Sequence, residues 1–134
     1  MNSLAGTIAA IDTDGNLSLV DIDVAKTFTM SALIVETPEH CLWLKAGNKV
    51  KVLFKETEVS IARNLSGQIS LRNRFMATIT RIRSEGMLAE ITLANAGHEV
   101  VSIITSRSAQ RMELKTGDQV EWLVKANEVS LTTG

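Results

Sequence analysis

Residues 42–62 read LWLKAGNKVKVLFKETEVSIA, and residues 112–132 read MELKTGDQVEWLVKANEVSLT. The two stretches are identical at nine of 21 positions when they are aligned at an offset of 70 residues. The beginnings of the two halves match at an offset of 71, which places a one-residue insertion or deletion between Leu17 and Leu44. An internal repeat is a stronger guide to architecture than any single element. The sequence therefore predicts two copies, residues 1–63 and 70–134, joined by a short polar linker at 64–69.

Each copy has the pattern of a small all-β domain. Short stretches rich in β-branched residues alternate apolar and polar side chains and are separated by polar turns that contain Gly15 or Gly86. Residues 37–44 and 107–114 each predict one short helical turn, and Pro38 suits the first turn of a helix. Five short strands and one helical turn in about 60 residues favour an OB-like Greek-key β-barrel. The predicted fold is thus two tandem barrels of this type.

Composition excludes several classes of protein. The chain has 14 basic and 15 acidic residues, so it lacks the basic excess that is typical of nucleic-acid-binding proteins. The one cysteine, Cys41, cannot form a disulfide within the chain, which fits a reducing compartment. No signal peptide is recognisable, and no apolar run reaches the length of a membrane span. These features predict a cytoplasmic protein without direct membrane insertion.

Catalytic and metal-binding patterns are weak in this sequence. His40 and His98 have no neighbours at metal-ligand spacing, and structural or exposed histidines explain them better. The four aspartates between residues 12 and 23 lack the spacing of a calcium loop. No pair of nucleophile and base, and no pair of catalytic carboxylates, stands out. We therefore expect no enzyme activity, no cofactor and no metal held directly by protein side chains.

Three segments of the second copy resemble the molbindin family of molybdate-binding domains. ISLRN, residues 69–73, is similar to the Ser-x-Arg-Asn pattern that opens such a domain. IITSRSAQRMELKTGD, residues 103–118, is similar to the family's Ile-Thr pattern with a serine three residues later and Leu-x-x-Gly beyond. LVKANEVSL, residues 123–131, resembles the family's Lys-Ala-x-x-Val. The three segments follow one another in the order that the family has, and the resemblance extends over nearly the whole chain.

The resemblance implies a ligand, molybdate or tungstate, and a set of residues that bind it. A tetrahedral dianion needs donors on several sides and about two positive charges, which guanidinium, ammonium, hydroxyl and main-chain N–H groups supply. A small side chain after the lysine would let the anion approach the main chain. The resemblance places the pocket at a boundary between domains or subunits. The residues it implies are Ser70, Arg72, Asn73, Thr105, Ser108, Lys125 and Ala126.

The first copy departs from this pattern. Ser70 and Arg72 have no counterparts, because the chain opens one residue before Asn2, which matches Asn73. Val35 and Pro38 stand where the second copy has Thr105 and Ser108, and Glu56 stands in place of Ala126. A carboxylate beside a dianion is repulsive. We expect the first copy to bind no oxyanion by itself and to provide scaffold and interface.

Other interpretations stay open at this point. Arg72 and Lys125 can be ordinary solvated side chains, and Thr105 and Ser108 can simply cap the helical turn. The layout is most similar to the C-terminal regulatory region of the molybdate transporter ATPase, so an oligomerising regulatory domain within a transporter complex is the alternative function. An OB-fold nucleic-acid binder is less favoured, since exposed aromatics and a basic groove are missing. Small barrels bury little surface, which predicts a homo-oligomer, either dimer or trimer.

Overall fold

The computed structural model describes residues 1–133, and its regular structure is mainly β-strand, as the sequence predicted. A short α-helix and two 3₁₀ turns, Glu56–Glu58 and Ala126–Glu128, interrupt the strands. The strands and the helix are β1 (Asn2–Asp14), β2 (Leu17–Val24), β3 (Phe28–Ile34), β4 (Lys49–Phe54), β5 (Ser60–Ala62), β6 (Asn73–Glu85), β7 (Leu88–Asn95), β8 (His98–Thr105), α1 (Ser106–Arg111), β9 (Gln119–Val124) and β10 (Ser130–Thr132).

The strands form two antiparallel sheets of five, in the orders β10-β4-β1-β2-β3 and β5-β9-β6-β7-β8. The longest strand of each sheet, β1 or β6, lies in the middle of the sheet and pairs with two neighbours. Its register changes at a bulge, between Ile8 and Ala10 in β1 and between Ile79 and Arg81 in β6. A bulge bends the strand and increases its twist, which lets one strand serve both sides of a small barrel. The two copies therefore share the same OB-like architecture, including the bulge in the long strand.

The structure locates the one-residue difference between the copies. The loop from β2 to β3 has three residues between the paired Val24 and Phe28. The equivalent loop from β7 to β8 has two residues between Asn95 and His98. The extra residue lies in a tight turn, where length changes disturb the sheet least.

The units of the structure have different boundaries from the sequence copies. One unit contains residues 1–54 together with the chain from Lys125 onward, and the other contains Lys55–Val124. The reason is an exchange of last strands: β10 pairs with β4, whereas β5 pairs with β9. The predicted boundaries, 1–63, 64–69 and 70–134, describe the repeat in the sequence but cut through both units. Sequence similarity cannot reveal such an exchange, because both last strands carry the same Glu-Val-Ser motif.

Each unit buries the apolar face of its sheet. In the first unit the side chains of Ile8, Ile22 and Phe54 are at most 1% exposed. In the second unit Ile79 and Trp122 are fully buried. The exchanged segments contribute as well, since Val59 is buried in the second unit and Val129 in the first. Burial of apolar area on this scale is the main stabilising contribution to each unit.

Only the second copy has the predicted helix. In the first copy residues 37–44 form separate hydrogen-bonded turns, from the His40 N–H to the Thr37 carbonyl and from the Leu44 N–H to the Cys41 carbonyl. The expectation of a helical turn there was wrong in detail. The physical reason is that Val35 has no hydroxyl to cap a helix and Pro38 has no N–H to be capped.

Candidate functional site

Thr105 and Ser108 lie together at the start of α1. The Thr105 hydroxyl oxygen accepts a hydrogen bond from the Ser108 N–H at 3.1 Å, and the same hydroxyl donates to Ser108 Oγ at 3.0 Å. Thr105 is therefore the N-cap of the helix, as one of the two sequence interpretations predicted. Because Thr105 uses its only proton on Ser108, the Ser108 hydroxyl is the one that retains a proton to donate elsewhere.

The start of β6 carries the residues of the Ser-x-Arg-Asn segment. Ser70 and Arg72 are exposed, whereas the Asn73 side chain is only 1% exposed. The counterpart of Asn73 in the first copy, Asn2, is also buried, at 6%. An asparagine is therefore buried at the same position in both copies. The part of Asn73 in oxyanion binding stays a prediction.

Lys125 and Ala126 follow directly after β9. Lys125 is exposed and extended, and it precedes the 3₁₀ turn that begins at Ala126, whose side chain is partly buried. In the register of β6 and β9, Asn73 pairs with Val124. Arg72 directly precedes Asn73 in the chain, and Lys125 directly follows Val124.

The donors within the second unit fall into two groups. Thr105 lines a surface cavity of about 360 Å³ together with Met87, Arg107 and Gln110. Ser70 lines a different, more open cavity of about 510 Å³ with residues 67–69 and Arg74. Ser70 and Thr105, two of the predicted residues that belong to this unit, are thus not gathered in one cavity.

Two arginines near these cavities were missed by the sequence analysis. Arg107 stands between Ser106 and Ser108 and lines the same cavity as Thr105, so its place in the quoted motif was an available signal. Arg74 forms a bidentate ion pair with Glu121, with Nε–Oε2 and Nη2–Oε1 distances of 2.8 and 3.0 Å. The hydrogen bonds that Arg74 donates to the Glu121 carboxylate raise the pKa of Arg74 above its ordinary value. The pairing joins strands 47 residues apart in sequence, and no local pattern predicts it.

Within residues 1–133, no group of three or more His, Cys, Asp or Glu side chains is placed to hold a metal ion. None of the helical segments described is long and apolar enough to cross a bilayer. What the second copy does present is a set of hydroxyls and basic side chains at its surface.

This fold and these groups define a class of protein: a tandem of two small OB-like barrels whose second copy presents hydroxyl and basic side chains at its surface. Residues 69–131 match the model of the TOBE domain. This match and the likeness to the relatives below confirm the resemblance to tandem, molbindin-type domains seen in the three sequence segments.

Relatives and solved structures agree with this assignment. The structure of the cytoplasmic molybdate-binding protein ModG, determined with molybdate bound, superimposes with a TM-score of 0.93 and 27% identity, covering 99% of this chain and 96% of that one. The molybdenum import ATP-binding protein ModC of Brucella abortus is 33% identical over 127 residues, which is 94% of this chain. The molybdenum-pterin-binding protein MopA of Rhodobacter capsulatus is 39% identical over 72 residues, which cover 53% of this chain and 27% of MopA. The chain spans one third of the length of the ModC relative (33%).

Proposed function

We propose that this protein binds molybdate or tungstate in the cytoplasm and serves molybdenum homeostasis, storage or sensing. The observation that carries the proposal is the likeness to ModG over 99% of the chain, since ModG is a cytoplasmic molybdate-binding protein with molybdate bound in its structure. The family assignment and the three motif segments of the second copy point the same way. We infer a binding function rather than an enzymatic one.

The donor groups of the second copy match a tetrahedral dianion. Arg72 offers a planar fork of N–H donors to two oxygens, and Lys125 offers a second positive charge. Ser108 offers a hydroxyl proton to the anion, because the Thr105 hydroxyl proton is already donated to Ser108 Oγ. Ser70 adds a further hydroxyl, and the small side chain of Ala126 leaves the main chain accessible. Charge-assisted hydrogen bonds of this kind are roughly twice as strong as neutral ones.

We propose that the complete site requires a neighbouring chain. Ser70 and Thr105 line different cavities of the second unit, so a single unit does not surround one anion with both. A homo-oligomer, dimer or trimer, would bring the missing donors to each group. The proposal also accounts for the polar groups that this unit leaves at its surface.

Calorimetric titration of the full chain with molybdate, tungstate and sulfate tests the proposal. We expect heat of binding from molybdate and tungstate and much weaker binding of sulfate. Sedimentation of the same samples measures the oligomeric state with and without anion. Sulfate that binds as tightly as molybdate would reduce the proposal to a general anion site, and the absence of heat from all three anions would overturn it.

One observation favours a second function. The match to ModC covers 94% of this chain but one third of ModC, so this architecture also occurs as part of a longer ATP-binding protein. The second candidate is therefore an oligomerising regulatory domain of a molybdate transporter ATPase. Self-association without anion binding in the titration above would favour it over the first.

A further inference from the structure

Arg107 is a charged residue in the lining of the 360 Å³ cavity of the second unit, where its neighbours are Met87, Thr105 and Gln110. Within the described part of the chain, no aspartate or glutamate lines this cavity. Thr105 belongs to the candidate oxyanion site, and Arg107 directly precedes Ser108, the residue whose Oγ accepts the Thr105 hydroxyl proton. The lining of this cavity therefore attracts anions.

The charge of Arg107 is not balanced by a carboxylate. Arg63, Arg74 and Arg83 each form an ion pair with an acidic side chain of the second unit. Arg107, by contrast, is exposed and makes no hydrogen bond or ion pair with any group among residues 1–133. An unpaired charge keeps its full attraction for a mobile anion, whereas the attraction of a paired charge is largely offset by its own carboxylate.

The first copy lacks this charge. At the offset of the repeat, Thr37 stands in place of Arg107, and it lines the corresponding cavity beyond the end of β3 together with Glu36 and Glu39. No lysine or arginine of the described chain lines that cavity. The copy that keeps the oxyanion motifs is thus also the copy with a positive cavity lining, and the copy that departs from them has a negative one.

The exposure of Arg107 decides which role its charge can have. Because no partner fixes the guanidinium, holding it in one geometry on a bound anion would cost side-chain conformational entropy. The charge itself acts over about 10 Å at 0.1 M salt, and charges at the rim of a site mainly change the association rate and its salt dependence. We propose that Arg107 is a steering residue, whose charge speeds the association of the oxyanion with the Thr105–Ser108 group without holding the bound anion. This role rests on the oxyanion binding proposed above.

The test compares Arg107→Gln with Arg107→Lys and with Arg111→Gln in the full chain. Arg111 is exposed on the same helix, one turn further on, and it does not line the cavity. Rapid mixing with radiolabelled molybdate, followed by filtration, measures association, and a chase with unlabelled molybdate measures dissociation. At low ionic strength we expect Arg107→Gln to associate about three- to tenfold more slowly than the wild type, with dissociation unchanged. The difference should shrink as salt is added, and Arg107→Lys and Arg111→Gln should associate within about twofold of the wild type.

The outcomes separate this role from the function on which it depends. A wild type that binds no molybdate would overturn the proposed function itself. If the wild type and Arg111→Gln bind but Arg107→Gln associates as fast as the wild type at low salt, only the steering role is overturned. Faster dissociation of Arg107→Gln that persists at high salt would make Arg107 a contact residue and would also overturn that role. Equal slowing in Arg107→Gln and Arg111→Gln would do the same, because overall charge would then explain the effect.

Discussion

Arg72 and Arg74 lie two residues apart at the start of β6, yet their surroundings differ. The Arg74 guanidinium makes a bidentate pair with Glu121, and both side chains are partly buried, at 28% and 15% exposure. Arg72 is exposed and belongs to the motif segment that the family resemblance singled out. The charge of Arg74 is thus already balanced by a carboxylate, which makes it a poor donor to a bound anion.

We predict that Arg72→Ala weakens molybdate binding by about 2–5 kcal/mol, because a buried charged contact with the anion is lost. Arg74→Ala is the matched control: it removes the same charge two residues away and should leave the affinity close to that of the wild type. Calorimetric titration measures both. Equal losses in the two variants would mean that overall charge, rather than contact with Arg72, holds the anion.

Thr105 and Ser108 allow a second separation of roles. Thr105→Val removes the N-cap and should lower the free energy of unfolding by about 0.5–2 kcal/mol. Ser108→Ala keeps the capped N–H and should affect stability less, but it removes the proposed hydroxyl donor and should weaken anion binding. Denaturant unfolding and calorimetry on both variants measure the two effects. The prediction fails if Ser108→Ala binds the anion like the wild type.

At the scale of elements, the exchanged segment before β5 is tied to its sheet by a side chain. The hydroxyl of Ser102 in β8 is fully buried and donates to the Val59 carbonyl at 2.6 Å. The two residues are 43 positions apart, and both belong to the second unit. This hydrogen bond fixes the chain of the first sequence copy where it enters the sheet of the other.

Ser102→Ala should therefore lower the free energy of unfolding by about 1–3 kcal/mol, since the buried carbonyl loses its donor. Ser106→Ala is the control, because its hydroxyl donates to the Gly86 carbonyl at 3.0 Å in an exposed position where water can substitute. Chemical denaturation of both variants measures the difference. A larger loss in Ser106→Ala would contradict this assignment.

At the scale of the whole molecule, the exchange of β5 and β10 determines which unit each last strand stabilises. β10 lies at the edge of the first sheet and pairs with β4 through residues 51–53. An edge strand protects the backbone groups of its neighbour from water, and its removal exposes them. The last residues of the chain therefore stabilise the first unit rather than the second.

Deletion of residues 130–134 provides the test. We expect faster amide hydrogen exchange in Lys49–Phe54, where β4 loses its neighbour, and unchanged protection in Gln119–Val124, which keeps β5 beside it. Hydrogen-exchange mass spectrometry resolves the two strands. The opposite pattern, with Gln119–Val124 deprotected, would mean that each sequence copy keeps its own last strand in solution.

The sequence predicts the residues of the candidate site because motif spacing identifies residue types before their contacts are known, and their joint role in binding stays a prediction. Thr105 and Ser108 were placed correctly beside each other at the helix start, a local relation of three residues. Arg107 in the cavity, the Arg74–Glu121 pair and the burial of Asn73 were not predicted. These depend on strand register and packing between distant segments, which periodicity in a single sequence does not encode.

The amino-acid sequence alone determined the repeat, the all-β class and the positions of the strands, because alternation and turn residues act over a few neighbouring positions. Only the tertiary structure decided which sheet each last strand joins. The motif Glu-Val-Ser leads into the last strand of both copies, so β5 and β10 offer similar backbone hydrogen bonds to either sheet, and each follows a buried valine. Local preference is equal for the two arrangements, and the path of the connecting chain and its long-range packing select between them.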